Sequence, residues 1–183
     1  PEIIAALSAE LENAEFPIVV DPVAVASAGK SLVTDGFAEA MLEFVQKRAT
    51  LVTPNRGEAE IWLKTQISHD SNAKSAAAEL RNLLGCAVLL KGGHFEGDQC
   101  IDYLALDDQV HEISAERLPN SDVHGTGCTY SAAITARLAQ GHDLLASVRH
   151  ARDYLHQTLT SAHSWQGADG RELKALAHFP NPR

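Results

Sequence analysis

Thr50-Leu51-Val52-Thr53-Pro54-Asn55-Arg56-Gly57-Glu58-Ala59-Glu60 is a short apolar run stopped by a proline and followed at once by the start signal of a helix. The run is apolar at consecutive positions, which suits a strand covered on both faces, as in a parallel sheet. Asn55 and Glu58 have the spacing of an N-cap and its capping-box partner, so a helix is expected just past the proline. The same unit recurs on either side. Phe16-Pro17-Ile18-Val19-Val20-Asp21-Pro22 is another apolar run stopped by proline, and Ala87-Val88-Leu89-Leu90-Lys91-Gly92-Gly93 is one stopped by glycine. Helical patterns over residues 35–48, 58–64 and 72–84 fill the intervals, the last with a stripe of Ala73, Ala76, Leu80, Leu83 and Leu84. Two further strands, over 99–105 and 110–113, flank Asp107-Asp108, which reads as a hairpin turn. Helices are expected to close the chain. The clearest covers 143–161, with Asp143 as N-cap and Leu144, Val148, Ala151, Leu155, Leu159 and Ala162 on one face.

Strand and helix alternating in this way imply a doubly wound α/β domain with a mostly parallel sheet. With 183 residues, no repeat and no linker rich in Pro, Gly or Ser, the chain reads as a single domain over 1–183. A formal charge of −9 without a Lys/Arg cluster argues against nucleic acid and anionic membrane as partners, and no stretch reaches the ~20 apolar residues of a membrane span. Cys86, Cys100 and Cys128 lie far apart, so neither a disulfide framework nor a zinc site is expected. Reduced thiols and the absence of a basic-then-apolar leader read as cytoplasmic, with a small molecule as partner.

In such sheets ligands lie beyond the C-terminal strand ends, which singles out Asp21, then Thr53 and Asn55, then Lys91. Asp21 stands at a strand end before a proline, placed to hold a metal ion or a substrate hydroxyl. Asn55 and Glu58 offer oxygen ligands near where phosphates and Mg²⁺ would lie, a role compatible with capping. Lys91 precedes Gly92-Gly93, a cation beside backbone that a ligand can approach closely. The last motif is His124-Gly125-Thr126-Gly127-Cys128, running into small residues at Ser131, Ala132, Ala133 and Ala136. Two glycines opening a helix turn unpaired N–H groups and the positive dipole end outward, a nest for phosphate. The same potential favours a thiolate at Cys128, placed to take a proton from an attacking hydroxyl. Cys86 and Cys100 read as core fillers. His94 and His124 flank these loops, and His156 and His163 read as surface residues.

Taken in order, Val20-Asp21-Pro22-Val23, Val52-Thr53-Pro54-Asn55 with Glu58-Ala59-Glu60, Leu90-Lys91-Gly92-Gly93-His94 and His124-Gly125-Thr126-Gly127-Cys128-Thr129 resemble the ribokinase-like kinases. Within them the chain is similar to the hydroxymethylpyrimidine/phosphomethylpyrimidine kinases of thiamine biosynthesis. Most ribokinase-like enzymes end the Gly-Thr-Gly motif with aspartate, their base; Cys128 resembles the pyrimidine-kinase branch and a few pyridoxal kinases. The resemblance implies a three-layer α/β/α fold, ATP and Mg²⁺ as cofactors, and phosphorylation of hydroxymethylpyrimidine and its monophosphate. It further implies Gly125, Thr126, Gly127 and Cys128 as the anion hole with Cys128 as base, Lys91 on the nucleotide phosphates, and Asp21, Asn55 and Glu58 arranging Mg²⁺ and phosphate.

Two departures stand out. The family's Gly-rich first strand and following βαβ region have no counterpart ahead of Phe16, so the chain reads as the C-terminal portion of the family domain, N-terminally incomplete. The position commonly occupied by methionine is Ala24. Three alternatives stay open on this ground: a pyridoxal or pyridoxine kinase, a truncated non-catalytic nucleotide-binding remnant, or half of a split kinase. The last would need a complementing N-terminal segment, and a homo-oligomer is the other assembly expected.

Overall fold

The computed structural model describes residues 2–23, 36–68, 70–94, 97–118 and 123–179. The chain divides into two compact units, Pro1–Ser114 and Ala115–Arg183.

The elements of the first unit run α1 (Glu2–Glu10), β1 (Val19–Val20), α2 (Phe37–Arg48), β2 (Leu51–Val52), α3 (Arg56–Leu63), α4 (Asp70–Leu84), β3 (Ala87–Leu90), β4 (Gln99–Leu106) and β5 (Gln109–Glu116), the last running two residues past the unit's limit. The strands form one sheet in the order β1-β2-β3-β4-β5. Pairing is parallel from β1 to β3, with Val19 opposite Leu51 and Leu51 opposite Ala87, and turns antiparallel at β3–β4, with Leu89 opposite Leu104. The sheet is therefore mixed. The hairpin was anticipated at Asp107-Asp108, and there Asp107 takes the positive φ of 52° that a two-residue turn demands.

The consecutive apolar positions are buried as their pattern requires: Leu51, Val52, Val88, Leu89 and Leu90 are all fully buried. Val45, Ala59, Ile67, Ala73, Ala77, Leu80 and Leu84 pack with Val52, Val88 and Leu90 in one core. Leu83, expected in the α4 stripe, instead faces solvent at 40% exposed, and Ala77 takes the buried place. At ~100° per residue, 73, 76, 77, 80 and 84 form a stripe of the same width turned slightly round the helix, and 83 falls off its edge.

In the second unit α5 (Thr126–Ala139) and α6 (Leu144–Thr160) pack against each other, and Tyr130, Ile134, Val148, Ala151 and Leu155 are their buried apolar residues. Asp143 caps α6 as expected, its side chain accepting from the Ala146 N–H at 2.8 Å. The expectation that helices close the chain is wrong. An antiparallel hairpin follows, β6 (His163–Gln166) with β7 (Glu172–Ala175), turning through Asp169-Gly170. Both strands are largely solvent-exposed, so no apolar alternation announces them. The family-based departure at Ala24 lies outside the described residues.

Candidate active site

The proline-stopped ends of β1 and β2 and the glycine-stopped end of β3 meet at one sheet edge. Parallel pairing places them there, since Val20 lies opposite Val52 and Val52 opposite Val88. Just beyond, the Lys91 ammonium donates to Asp21 Oδ1 at 2.9 Å. The Thr53 hydroxyl approaches the same oxygen at 3.3 Å. Lys91 and Asp21 are each 14% exposed at the side chain, so the pair is only partly shielded from solvent. The backbone is tied as well: the Thr53 N–H donates to the Val20 carbonyl at 2.9 Å and the Lys91 N–H to the Pro54 carbonyl at 3.0 Å. A cation and an anion held at strand ends, reachable by solvent, form a place where an incoming anion can take over the lysine and a cation the aspartate.

Asn55 and Glu58 form the capping box read from their spacing. The Glu58 N–H donates to Asn55 Oδ1 at 3.0 Å, and Glu58 Oε2 accepts from the Asn55 N–H at 2.8 Å. Glu58 is 3% exposed, so its carboxylate sits in the wall of the first unit rather than on its surface. Past Lys91 the chain enters a 3-10 turn, Gly92–His94. The His94 side chain lies outside the described part.

The glycine motif belongs to the second unit. Gly125 is the N-cap residue of α5, with φ 89° and no side-chain capping bond. A side chain is strained at that angle, which explains glycine here. The first intrahelical bond among these residues is from the Thr129 N–H to the Gly125 carbonyl at 2.9 Å. The N–H groups at the helix start therefore point outward without a side-chain cap, at the positive end of a 14-residue helix. Such an end binds anions. Cys128 is exposed on the same first turn, and His124 is exposed before it.

Two features escaped the sequence reading. Asp102, in the middle of β4, is 2% exposed and accepts from the Gly92 N–H at 2.8 Å. Its signal was a lone carboxylate between Ile101 and Tyr103, in a run otherwise apolar from Cys100 to Leu106. The other is a cavity of about 650 Å³ between α5 and α6, lined by Cys128, Thr129, Ala132, Ala133, Ala151 and Tyr154 among others. Ala132, Ala133 and Ala136, small residues after the glycine motif, are among its lining.

No group of three or more His, Cys, Asp or Glu side chains able to hold a metal forms among the described residues. An ion at Asp21 and Glu58 would thus take most of its ligands from phosphate and water, the manner in which Mg²⁺ is usually bound. The donor chemistry fits that ion.

A family model described as phosphomethylpyrimidine kinase matches residues 1–171. The hydroxymethylpyrimidine/phosphomethylpyrimidine kinase of Rhizobium meliloti (strain 1021) is 37% identical over 93% of this chain and 64% of the relative. The thiamine biosynthesis bifunctional protein ThiED of Geobacter sulfurreducens is 37% identical over 84% of this chain and 32% of its own length. Among solved structures, the pyridoxal kinase from Staphylococcus aureus in complex with AMP-PCP and pyridoxal superposes with a TM-score of 0.83 at 27% identity, over 100% of this chain and 65% of that one. The phosphomethylpyrimidine kinase from Clostridium difficile 630 superposes with a TM-score of 0.72 at 28% identity, over 86% of this chain and 64% of that one. The fold is ribokinase-like, and the chain spans under two thirds of the length of each of these four proteins.

Proposed function

The chain belongs to the phosphomethylpyrimidine kinase family, and from that premise we propose that it is the nucleotide- and phosphate-handling part of a kinase. The kinase would phosphorylate hydroxymethylpyrimidine and its monophosphate in thiamine biosynthesis, with ATP as donor. The observation that carries this reading is the uncapped start of α5 at Gly125, with the exposed Cys128 thiol on its first turn. AMP-PCP, an ATP analogue, in the Staphylococcus aureus kinase supports ATP as the donor.

In this mechanism the substrate hydroxyl attacks the γ-phosphorus in line, an O–P bond forms, the bond to the β,γ-bridging oxygen breaks and ADP leaves. N–H groups of Gly125, Thr126, Gly127 and Cys128 stabilise charge on the transferring oxygens. The Cys128 sulfur takes the hydroxyl proton. Lys91 leaves Asp21 to neutralise nucleotide phosphate, and Asn55 contributes its amide beside it. Mg²⁺, held by Asp21 and Glu58 with phosphate oxygens, would supply charge neutralisation. The three free cysteines support a reducing compartment, the cytoplasm. No helix among the described residues is long and apolar enough to cross a membrane.

One observation favours a second acceptor: the structural neighbour with TM-score 0.83 holds pyridoxal. The higher identity, 37%, is to a pyrimidine kinase and supports the first reading. We further propose that the chain assembles with a complementing N-terminal segment or as a homo-oligomer. ADP release measured with hydroxymethylpyrimidine, its monophosphate and pyridoxal as sole acceptors tests the proposal. Release with either pyrimidine is the expected result. Release with pyridoxal alone would transfer the activity to the second reading, and release with none would confine this chain to nucleotide binding.

A further inference from the structure

The ladder between β3 and β4 ends at Leu90 opposite Tyr103. Carried one residue on, that register sets Lys91 opposite Asp102. Immediately after Lys91 the backbone drops onto β4: a Cβ at Gly92 would lie 1.8 Å from the Ile101 carbonyl oxygen and 2.5 Å from its carbon. Only glycine permits this approach. At that point the Gly92 N–H donates to Asp102 Oδ1 at 2.8 Å, while the Lys91 N–H donates to the Pro54 carbonyl at 3.0 Å. The peptide units on both sides of the Lys91 Cα are therefore tied, one to the end of β2 and the other to the middle of β4.

Asp102 is 2% exposed in a strand whose next residues are Tyr103, Leu104 and Ala105, each 4% exposed or less. Removing a carboxylate from water is unfavourable unless hydrogen bonds offset it. An apolar residue would serve packing better at such a place. What a carboxylate adds is a charged acceptor, stronger than a neutral one, for a backbone N–H that has left the ladder.

We infer that Asp102 is a positioning residue for Lys91: by holding the Gly92 N–H it fixes the direction in which the chain leaves β3, and with it the place where the ammonium is presented. The functional half of this inference rests on the reading of Lys91 as a ligand of nucleotide phosphate. Its structural half concerns the Lys91–Asp21 pair alone, and the two are measured separately.

The first measurement is a double-mutant cycle of Lys91→Met and Asp21→Asn by urea unfolding, in the parent, in Asp102→Leu and in Asp102→Asn. The Asn side chain keeps an oxygen for the Gly92 N–H. The expected result is a coupling between Lys91 and Asp21 that is present in the parent, kept by Asp102→Asn and lost in Asp102→Leu. If the leucine variant does not fold, Asp102→Ser, with a hydroxyl too short to reach, takes its place. The second measurement is ATP affinity. Asp102→Leu is expected to weaken it roughly tenfold, the loss of one hydrogen bond to a charged group, with Asp102→Asn close to the parent and no further loss from Asp102→Leu in a Lys91→Met background. Coupling unchanged in the leucine or serine variant, or absent from the parent, overturns the inference, as does an ATP effect that persists without Lys91. If the folded parent binds no ATP, it is the phosphate reading that fails, and the unfolding cycle still decides the role of Asp102.

Discussion

Lys91, Asp21 and Thr53 come from three strand ends, yet their side chains meet within hydrogen-bonding distance. Each was legible as a polar residue just past an apolar run. The ion pair between positions 70 apart in sequence was not, because it depends on parallel register. Asp102 was missed because its partner, the Gly92 N–H, is set by the antiparallel pairing of β4 with β3 and the close approach of the following turn. The three thiols separate clearly at this scale. Cys128 is exposed, Cys100 is buried, and Cys86 is pushed up to about 11 by burial. Burial disfavours the charged thiolate of Cys86, so the folded chain keeps a proton that the unfolded chain releases from an ordinary 9.0 upward. Its contribution to stability is therefore complete below about 9 and is lost as pH rises through about 11. Thermal unfolding followed over this window is expected to show a fall in Tm that Cys86→Ala makes shallower. For catalysis, Cys128→Ala is expected to lower turnover roughly 10²- to 10⁴-fold, the usual contribution of a positioned base, with ATP affinity unchanged. Unchanged turnover in a kinetically competent preparation would make the thiol a bystander and leave the work to the helix start.

At the scale of elements, the two best-read helices begin at side-chain caps, Asn55 for α3 and Asp143 for α6. Each cap satisfies a backbone N–H that the helix cannot, so Asn55→Ala and Asp143→Ala are each expected to cost about 1 kcal/mol in urea unfolding. Only Asn55→Ala is expected also to weaken ATP binding, since Asp143 has no part in the proposed machinery. Elements with either an unbroken apolar run or a single apolar stripe were legible: β2 and β3 by the first, α4 and α6 by the second, appear close to their expected limits. Those without that property were not. In α1, Ile3 is 78% exposed and Leu7 46% exposed, so its apolar residues describe no single face. The β6–β7 hairpin is largely exposed, and its only sequence signal was Asp169-Gly170, where the Gly170 N–H closes the turn on the Gly167 carbonyl at 3.0 Å. β1 shrinks to two residues, shorter than its apolar run, since the parallel register pairs Val19 with Leu51 and Val20 with Val52.

At the scale of the molecule, each compact unit carries one part of the proposed chemistry. The first holds a lysine and an aspartate at the parallel strand ends, and the second holds a glycine-opened helix start with a thiol on its first turn. The α/β alternation was legible because buried parallel strands must be apolar throughout; the division into two compact units was not, since no linker composition marks residue 114. That both units bind phosphate is the central proposal. Titration of the purified, folded chain with ATP in Mg²⁺ buffer, read by calorimetry, tests it most directly. The predicted result is saturable one-to-one binding that Lys91→Ala weakens roughly tenfold or more. No saturable binding, or the same affinity in Lys91→Ala, would contradict it.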